Sequence, residues 1–151
     1  MGKLTCLDIE TDGLYDEATT IYCMSYTHDG EKIETLTRLP DMVDLLKSSD
    51  YVVGHSISQF DLLVIKKLLG YYPSHALVID TLWLSWVTSP NEVRHGLEDW
   101  GNKLGVKKVE VNADQWAEGD LELMIHRCQE DVKINWLLWE KQRKFLEQLY
   151  G

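Results

Sequence analysis

The chain predicts an α/β domain with a mixed five-stranded sheet flanked by helices. Three observations lead there. β-rich and helical runs alternate along most of the sequence. An Asp-Gly pair, Asp29-Gly30, joins two β-rich runs, which is a strong short-range hairpin signal. The apolar run near the N-terminus, LTCLDIE, has strand character yet carries two acids, Asp8 and Glu10.

The elements follow in order. KLTCLDIE is apolar and β-prone, and reads as a central strand. TIYCMSYTH and KIETLTR read as the second and third strands, joined through His28-Asp29-Gly30, so the first three strands form a meander. LPDMVDLLKSS reads as a short helix with Pro40 or Asp41 at its start. YVVGH is a fourth strand, and FDLLVIKKLLG an apolar helix closed by Gly70. ALVIDT is a fifth strand that runs into an LWLSWV helix; the fourth and fifth are expected to lie parallel. GLEDWGNKLG is a short helix stopped by Gly105, and the polar segment 106–119 reads as loop. From Asp120 onward Leu121, Met124, Ile125, Cys128, Val132, Trp136 and Trp139 recur at helical spacing. One unbroken helix there would far exceed the usual mean of about 12 residues, so a break is expected near Cys128. Trp83, Trp86, Trp136 and Trp139, in apolar periodic segments, read as core.

With 151 residues and no repeat, linker or low-complexity tract, the sequence reads as a single domain over residues 1–151. Its 44% hydrophobic and 26% charged content is that of a globular domain. The three cysteines show no CxxC spacing, which argues against a zinc knuckle or a disulfide framework and for a reducing, cytoplasmic setting. No signal segment opens the chain and no run of about 18 apolar residues occurs. The net charge of −10 excludes tight electrostatic capture of a polyanion unless cations or a local basic patch intervene. Arg94, Lys103, Lys107 and Lys108 are candidates for such a patch, or else a solvated surface.

The acids carry the chemistry. Strand side chains alternate, so Asp8 and Glu10 share one face, roughly 7 Å apart. Like charges on a half-buried face repel, and a divalent cation between them relieves this; an all-oxygen set suits magnesium or manganese. Spacing alone does not carry the point, because Asp29-Gly-Glu31 and Asp120-Leu-Glu122 repeat it. Those pairs fall at a turn and at a helix start, where acids are ordinary; only Asp8-Ile9-Glu10 interrupts an apolar strand. Asp61, between Phe60 and Leu62, is either a dipole-favoured helix acid or a third ligand. Asp131 is either an ion-pair partner of Arg127 or a fourth. An acid pair on a strand, with one acid from each of two helices, makes a plausible cage for two divalent ions.

LDIETDGL, GHSISQFDLLVI and HRCQEDV, in that order, resemble the three motifs of the DEDD (DnaQ-like) 3′–5′ exonuclease superfamily. With IDTLWLSWV and HGLEDWGNKLG between the second and third, the chain is most similar to the proofreading domain of podophage-type family A DNA polymerases, here freestanding. The resemblance spans residues 4–140. It implies the ribonuclease H-like fold, magnesium or manganese at two positions, and single-stranded DNA 3′ ends as substrate, with RNA ends also in view. It also implies a DNA polymerase or other replication partner. Matched motif by motif, Asp8, Glu10, Asp61 and Asp131 fall on the metal-binding acids. Thr11, Leu14, Ser56, Phe60 and His95 fall on segments that meet substrate, Leu14 as the wedge beside the terminal base. Two positions depart. Ser56 stands where the second motif has Asn, and the third motif has Arg127 where the polymerase-like form has Tyr, with His126 at the spacing of the other, His-bearing form.

The implied reaction is hydrolysis from a 3′ end to nucleoside 5′-monophosphates. The first ion would be held by Asp8, Glu10 and Asp131 and the second mainly by Asp8, with Asp61 acting through water and His126 as general base. In a regular helix His126 lies roughly 140° around from Asp131, so this role requires the helix to break between them. Two other readings stand beside this one. One is an exoribonuclease acting on short RNA oligomers, the substrate of His-form relatives. The other is a non-catalytic nucleic-acid-binding accessory module, against which the presence of all four acids speaks.

Overall fold

The computed structural model describes residues 2–106 and 120–150. β1 (Leu4–Thr11), β2 (Ile21–Thr27) and β3 (Glu34–Leu36) form the meander. α1 (Leu39–Lys47), β4 (Tyr51–Gly54), α2 (Asp61–Leu69), β5 (Leu77–Asp80) and α3 (Thr81–Thr88) follow. α4 (Leu97–Lys103) and α5 (Leu121–Tyr150) complete the order. The sheet runs β3-β2-β1-β4-β5. β1 pairs antiparallel with β2 and parallel with β4; β2 and β3 are antiparallel, β4 and β5 parallel. This is the mixed sheet, meander plus two parallel strands, that the sequence predicts. The expected loop over 106–119, with Lys107, Lys108 and Trp116, lies outside the described residues apart from Val106.

β1 is central because its two faces both bury. Leu7 and Ile9 point into the main core with Met24 and Val52, where Met42 and Leu46 of α1 and Leu62 and Ile65 of α2 cover them. On the opposite face, one residue out of phase, Cys6, Asp8 and Glu10 meet α5; the Cys128 thiol donates to the Asp8 carbonyl at 3.3 Å. Pro40 sits in the first turn of α1. α2 ends at Gly70, whose φ of 69° is the left-handed conformation that a Cβ disfavours.

Two expectations fail. The break near Cys128 is absent: α5 runs unbroken for 30 residues. Its sequence contains no Gly or Pro. Pairs one turn apart, His126 with Glu130 and Arg143 with Glu147, lace its outer face. Trp83 and Trp86 are not core; each is about half exposed, at 52% and 51%. α3 turns Thr81 and Ser85 inward instead, both fully buried. Among the described residues Trp100 is the buried tryptophan, packed against Ile134 and Leu138 of α5.

Candidate active site

β1 outruns its parallel neighbour. Pairing with β4 stops at Cys6 opposite Val53, whereas β1 continues to Thr11. Asp8 and Glu10 lie on this overhang, still paired across to Ser25 and Cys23 of β2. Past the last β1–β4 pair, the Ile9 amide donates to Asp61 Oδ2 at 3.2 Å. Asp61 opens α2 and is buried. Burial pushes its carboxyl up to about 7; the Asp80 and Asp131 carboxylates add to the rise, and the Ile9 amide opposes it. Asp131 enters from α5, also buried. Cys128, one turn earlier on the same helix, brings its sulfur to 3.7 Å from Asp8 Oδ2. Ligand atoms of Asp8, Glu10 and Cys128 lie within 4.8 Å of one another.

The four acids thus line one open cleft of about 450 Å³, together with Leu14, His55, Ser56, Phe60 and Arg127. The turn between β4 and α2 forms one wall. Ser56 holds φ at 59°, a left-handed conformation unusual for a residue with a side chain. Its amide donates to Asp80 Oδ1 at 2.9 Å, and the Ser58 amide and hydroxyl both donate to Asp80 Oδ2. Leu14, 75% exposed, also lines the cleft. Its loop is tied down at both ends. The Asp12 carboxylate accepts from the amides of Thr19 and Thr20, and Lys67 donates to the Tyr15 carbonyl at 2.6 Å.

Asp8, Glu10, Asp61, Asp131, Leu14, Ser56 and Phe60 therefore come together, as the motifs imply. Three predicted residues do not join them in the lining. His126 lies on the outward side of the unbroken α5, with a side chain 58% exposed and Nε2 3.0 Å from Glu130 Oε1. The helix break that its general-base role required does not exist, so that assignment is corrected: Arg127, its neighbour, lines the cleft instead. His95 is buried rather than presented to substrate. Its Nε2 faces the Glu92 carbonyl, its Nδ1 the Ser85 hydroxyl, and Trp86 stacks on its ring at 3.8 Å. Thr11 is buried too, its hydroxyl donating to the Gly13 carbonyl and shaping the start of the Leu14 loop. Two lining or neighbouring residues were not singled out from the sequence for this role. Cys128 is visible in retrospect as the residue one helical turn before Asp131. His55 follows directly on the strand that ends at the cleft.

The donor set fits a hard divalent cation. Four carboxylates converge in a partly buried cleft, and burial with mutual repulsion raises one of them toward neutrality, a penalty that a cation between them offsets. Cys128 is the one soft donor, and burial pushes its thiol well up, away from the thiolate.

The chain matches the RNase H superfamily over residues 5–118, and it belongs to that superfamily. The matched span holds Asp8, Glu10 and Asp61 and ends before α5. No curated protein sequence matches the chain. Among solved structures, Brucella melitensis NrnC bound to pGG is similar at 23% identity and a TM-score of 0.74, covering 98% of this chain and 75% of that one. The same protein with bound Mg2+ gives 22% identity, a TM-score of 0.69, and 98% and 75% coverage. A family B DNA polymerase from the archaeon Pyrobaculum calidifontis aligns at 19% identity with a TM-score of 0.71, over 99% of this chain and 25% of that one. These likenesses show a shared RNase H-like fold, in agreement with the fold the motifs imply. No helix among the described residues is long and apolar enough to cross a membrane.

Proposed function

We propose that the chain is a divalent-metal-dependent 3′–5′ exonuclease that removes nucleoside 5′-monophosphates from the ends of short oligonucleotides, RNA ahead of DNA. The observation that carries this reading is the convergence of Asp8, Glu10, Asp61 and Asp131 from β1, α2 and α5 on one open cleft. These four would hold magnesium or manganese. A bound ion supplies charge neutralisation at phosphorus and water activation. The remaining work falls to the chain's own groups. Leu14 and Phe60, which both line the cleft, hold the terminal nucleotide; the Ser56 turn shapes the wall beside it. Arg127 meets the phosphate as a donor; a guanidinium carries only N–H groups and cannot act as the base.

The ordering of RNA over DNA revises the emphasis of the sequence reading, which put DNA first. It is supported by the pGG ligand of the Brucella structure, a two-residue nucleotide, on a chain similar along 98% of this one. The restriction to short oligonucleotides is supported by the charge of −10, which gives a long polyanion no long-range attraction and leaves short contacts at an end as the source of affinity. Free, buried thiols at Cys6, Cys23 and Cys128 support a cytoplasmic location. A second reading, DNA 3′-end trimming beside a polymerase partner, is favoured by the likeness to the Pyrobaculum polymerase. Matched 5′-labelled RNA and DNA, from dinucleotides upward, incubated with magnesium, manganese or chelator, separate the two. The proposal expects stepwise loss from the 3′ end, fastest on the shortest RNA and absent in chelator. Equal cleavage of circular and linear strands would overturn the exonuclease reading.

A further inference from the structure

α3 is inverted relative to an ordinary surface helix: its tryptophans face outward, while Thr81 and Ser85, one turn apart, are fully buried. Burying a hydroxyl is unfavourable unless it is hydrogen-bonded, so the partners of these two are informative. Thr81 has three. Asn135 Nδ2 donates to the Thr81 hydroxyl at 2.8 Å, and Gln142 Nε2 donates to its carbonyl at 2.9 Å. The hydroxyl also meets His55 Nδ1 at 2.9 Å. His55 Nε2 lies 2.8 Å from the His95 carbonyl. A carbonyl only accepts, so Nε2 carries the proton, and in the neutral ring Nδ1 accepts from Thr81. The result is a directed chain, Asn135 to Thr81 to His55 to the His95 carbonyl, that crosses from α5 through α3 to the cleft wall.

Asn135 and Gln142 are almost fully buried, and with Asp131 they lie on one stripe of α5 at spacings of four and seven residues. Asp131 is one turn, about 6 Å, before Asn135. Thr81 therefore grips the helix that delivers Asp131 at two points on the face that delivers it. The preceding residue, Asp80, accepts from Ser56, Ser58 and the Leu82 amide, and so anchors the turn that leads into Asp61. Two consecutive residues at one strand–helix corner hold the two helices that carry these acids.

We propose that Thr81 is a positioning residue for the metal site: its hydroxyl sets the register of α5, and hence of Asp131, against the β4–α2 turn that leads into Asp61. This rests on the metal-site reading above and adds to it a residue that touches neither metal nor substrate. Thr81→Val keeps the volume and deletes the hydroxyl; Thr81→Ser keeps the hydroxyl. Mn2+ binding to the intact protein, followed as loss of the free-ion signal by electron paramagnetic resonance, needs no turnover. Partners behind metal ligands change affinity by about 10–100-fold when removed. Thr81→Val is thus expected to weaken Mn2+ at least about tenfold, with Thr81→Ser within about threefold of the wild type. A purely structural role would lower the melting temperature of Thr81→Val and leave its Mn2+ affinity unchanged, and that result overturns the proposal. If Thr81→Val does not fold, Asn135→Ala, which removes the donor from α5, carries the same expectation, and wild-type affinity in it is equally decisive. Absence of Mn2+ binding in the wild type overturns the metal-site reading itself, and this inference with it.

Discussion

Asp8 and Glu10 reach the cleft by way of backbone pairing, whereas Asp61 and Asp131 reach it on helices placed by side-chain contacts. The first two sit on a central strand locked to β2 residue by residue, and Asp61 is pinned to the Ile9 amide of that strand. Asp131 rides on a long helix whose placement against the sheet depends on contacts such as Asn135 to Thr81, Gln142 to Thr81 and Gln129 to Thr35. A strand offers little freedom to re-aim a carboxylate; a packed helix can rotate or slide by small amounts. The sheet half of the site should therefore be unforgiving of changes to its acids yet robust in geometry. The helix half should be tunable from a distance.

The largest effect is expected in the sheet half. Asp8→Ala or Glu10→Ala should lower turnover by about 10³-fold or more, because no neighbour on a strand can swing in to replace the lost ligand. Circular dichroism and chelator-treated melting should show a fold as stable as the wild type or more so, since a source of repulsion is gone. In the helix half, Arg127→Ala should cost about 10–100-fold in kcat/KM on short RNA, the scale of one charge-assisted contact to phosphate. Nearly unchanged kcat/KM would remove Arg127 from the substrate path.

Asp61 links the halves, and its effect is on stability. Its carboxyl titrates near 7 in the folded protein, above its ordinary range near 4, chiefly because it is buried. A group raised on folding stabilises while protonated: the contribution is full below about pH 4 and is lost as pH rises through about 7. Asp61→Asn retains an acceptor for the Ile9 amide and has no proton to lose. In chelator its melting temperature should exceed that of the wild type at pH 8 by at least about 2 °C, with the gap closing toward pH 5. A gap that is constant with pH would contradict the burial of an ionising carboxyl there. The smallest effect is expected for His126→Ala. Its ring points away from the cleft and pairs with Glu130, an exposed helix pair worth about 0.5 kcal/mol. Activity should stay within about twofold; a loss of a hundredfold would mean that α5 bends during turnover.

The same contrast explains what could be read from the sequence. Asp8 and Glu10 stand out because period-two burial makes any charge on that strand conspicuous. Gly70 and Asp29-Gly30 mark their turns through backbone requirements local to a few residues. The long helix departs from average length because its composition is uniformly permissive: nothing from Leu121 to Tyr150 breaks a helix. His126 has the spacing of the His-bearing motif, but on an unbroken helix that spacing turns it away from Asp131. Trp83 and Trp86 read as core from the sequence because apolar residues usually face inward. The buried side of α3 is instead a hydrogen-bonding face, and no single-sequence pattern reveals which partners its hydroxyls will meet. His95 is a milder case: it lies near the site but serves it through its carbonyl, which supports His55.

The central claim is that four carboxylates from three elements form one divalent-metal site. Isothermal titration of Mn2+ into the wild type and into the Asp8→Ala/Glu10→Ala double variant tests it most directly, without any assumption about substrate. The account predicts saturable binding in the wild type and its loss in the double variant, with both proteins folded. Equal binding by the two, or none by the wild type, would contradict it.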